Sequence, residues 1–188
     1  CYFQALTAVQ QGQPNQVHRQ LAQLAACGYL PYIVTANIDT YLEIALEQQG
    51  MRADRDYFVY AEESDFERFM EFPNEGIRIF KIHGTIDRPK SIITTLRQEG
   101  LGLSRNKGRL LRCLLLMRPF LFIGYSGNDL NLNSNYLMLE EMAEYAAGFF
   151  WNFLPDEPTH PVVENLAQRY QHRTGIVRYH AEELTRQL

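Results

Sequence analysis

Three cysteines far apart, Cys1, Cys27 and Cys113, with no Cys-x-x-Cys pair among them, leave the chain without the spacing that grips a metal or forms a redox couple. An odd, dispersed set of this kind reads as reduced thiols in a cytoplasm. Long apolar stretches are missing as well. The longest, such as Leu114 to Met117 and Phe120 to Ile123, which Arg118 and Pro119 separate, fall far short of a membrane span, so no membrane association is expected. Positive charge is not in excess: 18 Lys and Arg stand against 22 Asp and Glu, a net charge of -4. The chain as a whole therefore offers no attraction for a phosphate backbone, and direct nucleic-acid binding is not expected. His18, His83, His160, His172 and His180 are scattered, without the helical pair that a metal site favours.

What is present is apolar material for one well-cored domain, with 46% of the 188 residues hydrophobic. Val17, Leu21, Leu24 and Ala25 share one face of a helix over Pro14 to Cys27, which Gly28 stops. A strand over Tyr32 to Ala36 gives way to a helix carrying Leu42, Ala45 and Leu46 and ending at Gly50. Met51 to Gly76 mixes acids and aromatics and reads as a peripheral excursion with one short strand at Phe58 to Tyr60. Ile77 to Ile82 is a buried strand broken by His83-Gly84, and Ser91 to Thr95 a shorter extended piece. Arg105 to Arg118 is a helix, and Phe120 to Ile123 an apolar strand. Beyond it Asp129 is placed to cap a long helix through Tyr136, Leu139, Met142 and Ala143. Phe149 to Phe153 and Gly175 to Tyr179 are strands, with a helix over Val162 to Tyr170 between them. Apolar strands alternating with amphipathic helices predict an α/β fold, a Rossmann-like parallel sheet with helices on both faces in a single domain.

In such a sheet ligands sit outside the carboxyl ends of the strands. Four strand ends carry polar groups soon after an apolar run: Thr35-Ala36-Asn37-Ile38-Asp39, His83-Gly84-Thr85, Gly124-Tyr125-Ser126-Gly127, and Asn152. Each has an ordinary explanation when taken alone. Asp39 with Thr40 makes a helix cap, a lone histidine is commonly a solvated loop residue, and any strand-to-helix turn favours Gly and Ser. Gly124 to Gly127 also suits a phosphate-cradling turn, because small residues let backbone N–H groups approach an anion. It is not a hydrolase nucleophile elbow, since the second Gly comes one place too early.

In order and character, Thr35-Ala36-Asn37-Ile38-Asp39 followed by Leu42-Glu43, then Lys81-Ile82-His83-Gly84-Thr85, then Ile123-Gly124-Tyr125-Ser126, resemble sirtuin-like (silent information regulator type) domains. Gly12-Gln13-Pro14-Asn15, leading into His18 and Leu21, is similar to a stretch common in bacterial sirtuin-like proteins. The resemblance implies that Thr35, Asn37, Ile38 and Asp39 line the nicotinamide and ribose pocket of NAD, and that His83 with Gly84 supplies the catalytic histidine. It implies further that Gly124, Tyr125 and Ser126 contact phosphate and ribose, and that Asn152 touches the adenosine ribose.

Three departures refine that expectation. The family's opening Gly-Ala-Gly-x-Ser loop would lie upstream of Cys1, so residues 1–188 are expected to be an NAD-binding domain incomplete at its N-terminus and part of a longer protein. Only 39 residues, 85 to 123, separate the His-Gly and Gly-Ser segments, too few cysteines among them for the four-cysteine zinc module of deacylases, so no metal is expected. Ala36 stands where deacylases have Gln. These losses resemble the branch that hydrolyses NAD in bacterial anti-phage defence.

The expected activity is cleavage of the nicotinamide–ribose bond, with Asn37 and His83 as catalytic residues, NAD as substrate and the cytoplasm as location. An alternative is an NAD or ADP-ribose sensor without turnover, which has no need of both Asn37 and His83; protein deacylation stands behind both. Because uncontrolled NAD hydrolysis is toxic, an activating partner, a fused sensor domain or a homo-oligomer is expected to gate it.

Overall fold

The computed structural model describes residues 12–93, 100–170 and 172–188, which divide into two units, one of residues up to Ile93 together with Thr185–Leu188 and one of Thr94–Leu184. The fold is α/β and Rossmann-like: among the described residues six strands form two three-stranded sheets, and the pairings within both are parallel.

In the first unit α1 (Gln16–Ala26) is opened by a reciprocal cap, in which Asn15 accepts the His18 amide at 3.1 Å and the His18 ring accepts the Asn15 amide at 3.2 Å. Then come β1 (Tyr32–Thr35), α2 (Tyr41–Gln48), β2 (Tyr57–Tyr60), α3 (Glu63–Glu71) and β3 (Ile77–Lys81), with strand order β1-β3-β2. Alternation along β3 sorts its side chains. Ile77 and Ile79 pack with Ala22, Ala25, Leu42, Ala45 and Leu46 of α1 and α2. Phe80 points the other way, against Tyr60 and against Phe66 and Phe69 of α3, at ring separations of 5.0 to 6.0 Å. Helices thus cover both faces of this sheet.

The stretch expected to be a peripheral excursion is therefore integral. β2 is an edge strand, and α3 buries Phe66 and Phe69. Its short amphipathic pattern is swamped by acids in the sequence, but those acids form its cap: Asp65 accepts the Ala61 and Glu62 amides at 3.0 and 3.1 Å. Ser91, expected to begin an extended piece, closes a 3₁₀ turn over Pro89–Ser91 instead, because Pro89 starts it and the Ser91 amide bonds to the Arg88 carbonyl. Thr94 and Thr95 of that expected piece lie outside the described residues.

The second unit contains α4 (Arg105–Met117), β4 (Phe120–Phe122), α5 (Asn128–Leu132), α6 (Leu139–Met142), β5 (Phe149–Phe153), α7 (Pro161–Arg169) and β6 (Thr174–Arg178), in strand order β4-β5-β6. Trp151 on the central strand is 1% exposed and stacks on Phe122 at 4.2 Å, with Phe153 at 6.0 Å on the same strand face. The single long helix expected after Asp129 is two short ones. Asn133 leaves the helical region at φ -149, its side chain accepts the Asn135 amide at 3.0 Å, and Met138 is left-handed at φ 60. Asparagines compete for the backbone in this way and end helices. A last helix, α8 (Ala181–Gln187), runs into Thr185–Leu188 of the first unit, where the Thr185 hydroxyl meets Gln20 at 2.5 Å. No helix among the described residues is long and apolar enough to cross a membrane.

Candidate active site

Thr35 stands opposite Lys81 in the β1–β3 ladder, and the Ile82 amide extends the ladder by donating to the Thr35 carbonyl at 3.0 Å. Asn37 and His83 consequently each leave the first sheet two residues beyond the same pair, at its carboxyl edge. Asn37 is exposed and His83 half-buried.

After β1 the chain turns directly into α2. The Asn37 amide donates to Thr35 Oγ1 at 3.0 Å, and the Asp39 carboxylate accepts the Tyr41 amide at 3.0 Å. Asp39 therefore does the capping of α2, while Thr40 at the N-cap position makes no capping bond with its side chain. After β3 the chain doubles back. Gly84 has φ +90, and a Cβ on it would lie 2.3 Å from the Ser91 carbonyl oxygen, so only glycine fits. Ser91 Oγ receives the Thr85 amide at 2.9 Å and donates to the Arg88 carbonyl at 2.6 Å. The two loops are joined to each other: the Ile86 amide donates to the Ile38 carbonyl at 2.8 Å, and Ile38 packs on Ile86 and Ile92.

Beneath these loops lies a feature that sequence reasoning quoted but gave no role. Lys81, 1% exposed, places Nζ 2.6 Å from Glu43 Oε1 in the first turn of α2, 3.3 Å from Thr85 Oγ1, and in hydrogen-bond contact with the Asp39 carbonyl. The signal was in the alternation, because Lys81 continues the Ile77–Ile79 face that packs on α1 and α2. Burial pushes the Glu43 carboxyl above its ordinary value, with the Lys81 ammonium opposing that rise. Nearby, burial holds the His18 imidazole below its usual value, and the Asp39 carboxylate partly offsets this.

A cavity of about 490 Å³ opens beside α2, β2 and α3, lined in part by Thr40, Glu43, Glu47, Asp54, Asp65 and Arg88. Neither Asn37 nor His83 borders it.

Thr35, Asn37, Ile38, Asp39, His83 and Gly84 all belong to the first unit, and Gly124, Tyr125, Ser126 and Asn152 to the second. In the second unit Gly124 and Gly127 are left-handed at φ +64 and +77, and the turn exposes Ser126, whose Oγ accepts the Asn128 amide at 3.4 Å. A Cβ on Gly124 would meet nothing within 4 Å. Tyr125 is anchored twice, through its hydroxyl to Asp129 and through its carbonyl, which accepts from Trp151 Nε1 at 3.2 Å. Asn152 lies within β5, not beyond its end, and is 5% exposed. Its amide donates to the Tyr179 carbonyl and accepts the Tyr179 N–H, both at 3.0 Å. Among the described residues no group of three or more His, Cys, Asp or Glu side chains converges as a metal site.

Comparison with known proteins places this geometry in context. A family model described as "SIR2-like domain" matches residues 31–175. A curated relative, "NAD(+) hydrolase ThsA" of Cytobacillus dafuensis, is 32% identical over 126 residues, covering 65% of this chain and 23% of the relative. The chain thus matches less than a quarter of that relative's length.

Proposed function

Because this chain belongs to the SIR2-like domain family, we propose that it is the catalytic domain of an NAD glycohydrolase that splits NAD into nicotinamide and ADP-ribose. The observation that carries this reading is the register of Thr35 with Lys81, which delivers Asn37 and His83 to one sheet edge from adjacent strands. The relative named as an NAD(+) hydrolase supports the same substrate.

In the reaction the bond between ribose C1′ and the pyridinium nitrogen breaks, and its electron pair leaves with neutral nicotinamide. Positive, oxocarbenium-like charge develops on the ribose, and a water oxygen then bonds to C1′. Asn37, exposed at the edge, orients the ribose or the water. His83 takes the proton of that water or of a ribose hydroxyl, the role of a general base. Asp39 and the Ile38 backbone hold the carboxamide, and Thr35 and Gly84 shape the pocket around them. In the second unit, by itself, Gly124, Tyr125 and Ser126 form a turn suited to phosphate and ribose, because an open, left-handed turn favours an anion. Asn152 acts through Tyr179, whose backbone occupies its amide.

No step calls on a metal. The free thiols of Cys27 and Cys113 accord with a reducing cytoplasm. The setting is anti-phage defence, with turnover gated by an attached sensor domain, a partner or self-assembly. Product analysis of the full-length protein tests the reading: nicotinamide and ADP-ribose should appear from NAD alone. Release that strictly requires an acetyl-lysine peptide would point to deacylation, and tight NAD binding without turnover in the activated protein to a sensor.

A further inference from the structure

An ammonium has three protons to donate and no way to accept. Lys81 has an acceptor for each: Glu43 Oε1 at 2.6 Å, Thr85 Oγ1 at 3.3 Å and the Asp39 carbonyl. These acceptors come from two stretches that the sequence keeps apart. Asp39 ends the loop that carries Asn37, Glu43 sits in the first turn of α2, and Thr85 follows His83-Gly84. Lys81 itself is two residues before His83 on the last rung of β3. One buried charge therefore ties together both loops that bear the candidate catalytic groups.

The arrangement is not what stability alone selects. Lys81 occupies a position on the β3 face that Ile77 and Ile79 fill with hydrocarbon, and Glu43 is 8% exposed with Oε2 left without a hydrogen-bond partner among the described residues. A buried pair of this kind is often matched or surpassed in stability by apolar side chains of similar size. What apolar side chains do not supply is direction. A three-pronged donor fixes the Asp39 carbonyl, hence the Asp39–Thr40 peptide plane, relative to Thr85.

We propose that Lys81 and Glu43 are the positioning pair of the active site, holding the Asn37–Asp39 loop and the His83 turn at the separation the reaction needs. This rests on the NAD-cleaving reading. Neither residue touches substrate; Lys81 acts through Asp39 and Thr85, and Glu43 through Lys81. Loss of the pair therefore lowers kcat more than it changes KM for NAD, because misplacement by about an ångström costs on the order of a hundred-fold in rate.

The test uses the full-length protein with Lys81→Met, Glu43→Gln and the double variant Lys81→Met/Glu43→Leu. Lys81→Met should lower kcat at least ten-fold with KM changed less than three-fold, and Glu43→Gln, which leaves the other two acceptors in place, should lower it less. The double variant should recover the thermal midpoint of the wild type but not its kcat. Recovery of both together would mean a merely structural pair and would overturn the proposal. Should the wild-type protein release no nicotinamide, the NAD reading fails on its own, and amide hydrogen exchange decides the pair separately. Faster exchange at Tyr41 and Ile86 in the folded double variant, with core strand amides unchanged, supports positioning. Exchange equal to wild type overturns it.

Discussion

Arg88 and Asp65, 23 residues apart in the chain, meet with a guanidinium nitrogen 2.5 Å from the carboxylate, joining the turn after β3 to the first turn of α3. The second guanidinium nitrogen reaches the Val59 carbonyl at 3.3 Å, so the turn that follows His83 is pinned to β2 as well. Burial alone would raise the Asp65 carboxyl, but the Ala61 and Glu62 amides and Arg88 together outweigh it and hold the group below its ordinary value.

The sign of the pH dependence follows. With its folded pKa depressed, Asp65 contributes stability that is fully present above its ordinary carboxylate value and is lost as pH falls through the lower, folded one. Asp65→Asn should lower stability at pH 7 by about 1–3 kcal/mol, as expected for hydrogen bonds to a charged group. It should also flatten the loss of thermal midpoint on acidification. Glu43, raised by burial, works in the opposite sense and loses stability as pH climbs past its ordinary value. Circular dichroism melts from pH 3 to 7 measure both limbs; an acid limb unchanged in Asp65→Asn would refute the assignment.

Gly84 and Gly50 have nearly the same backbone angle, φ +90 and +82, in different surroundings. A Cβ on Gly50 meets nothing within 4 Å, whereas one on Gly84 runs into the Ser91 carbonyl. Gly50→Ala should lose only the left-handed preference, about 1–2 kcal/mol. Gly84→Ala should lose more and displace His83. Urea denaturation of both variants gives the comparison, and equal losses would show that the turn relaxes around the new methyl.

Asn152 is expected to matter through the fold. Asn152→Ala leaves the N–H and carbonyl of Tyr179 without their partners and should lower stability by about 1–3 kcal/mol. Chemical denaturation followed by the fluorescence of Trp151, its neighbour on β5, reports it. A neutral outcome would mean that water replaces both bonds.

His83→Ala should lower nicotinamide release on the order of a hundred-fold or more, and Asn37→Ala comparably, while both proteins stay folded. Asn37 is exposed, and loop residues at strand ends contribute little to a core. Single-turnover assays with circular dichroism on the same samples separate lost chemistry from lost structure. Full activity in His83→Ala would remove it as the base.

Much of this fold is legible in the sequence. The apolar runs at Tyr32, Ile77, Phe120 and Phe149 marked strands, since a parallel strand packed by helices calls for hydrocarbon, although Leu121 and Phe150 stay exposed. The polar residues just after them marked the sheet edge where Asn37 and His83 lie. Capping was readable too, for Asp39 caps α2 whatever else it does.

Local pattern alone established the six strands of the two sheets and helices α1, α2, α4 and α7, since a period of two or of 3.6 residues and a local cap are settled within a few neighbours. It did not determine α3 as part of the core, the break at Asn133, the inward commitment of Asn152, or the burial of Lys81 against Glu43. The break at Asn133 is local, and the others depended on strand order. Once β3 lies between β1 and β2, a lysine at the end of its core face has a carboxylate, a carbonyl and a hydroxyl within reach. A charge is buried only where such partners exist, and residues as distant as Asp39 and Lys81 become neighbours only when the sheet assembles.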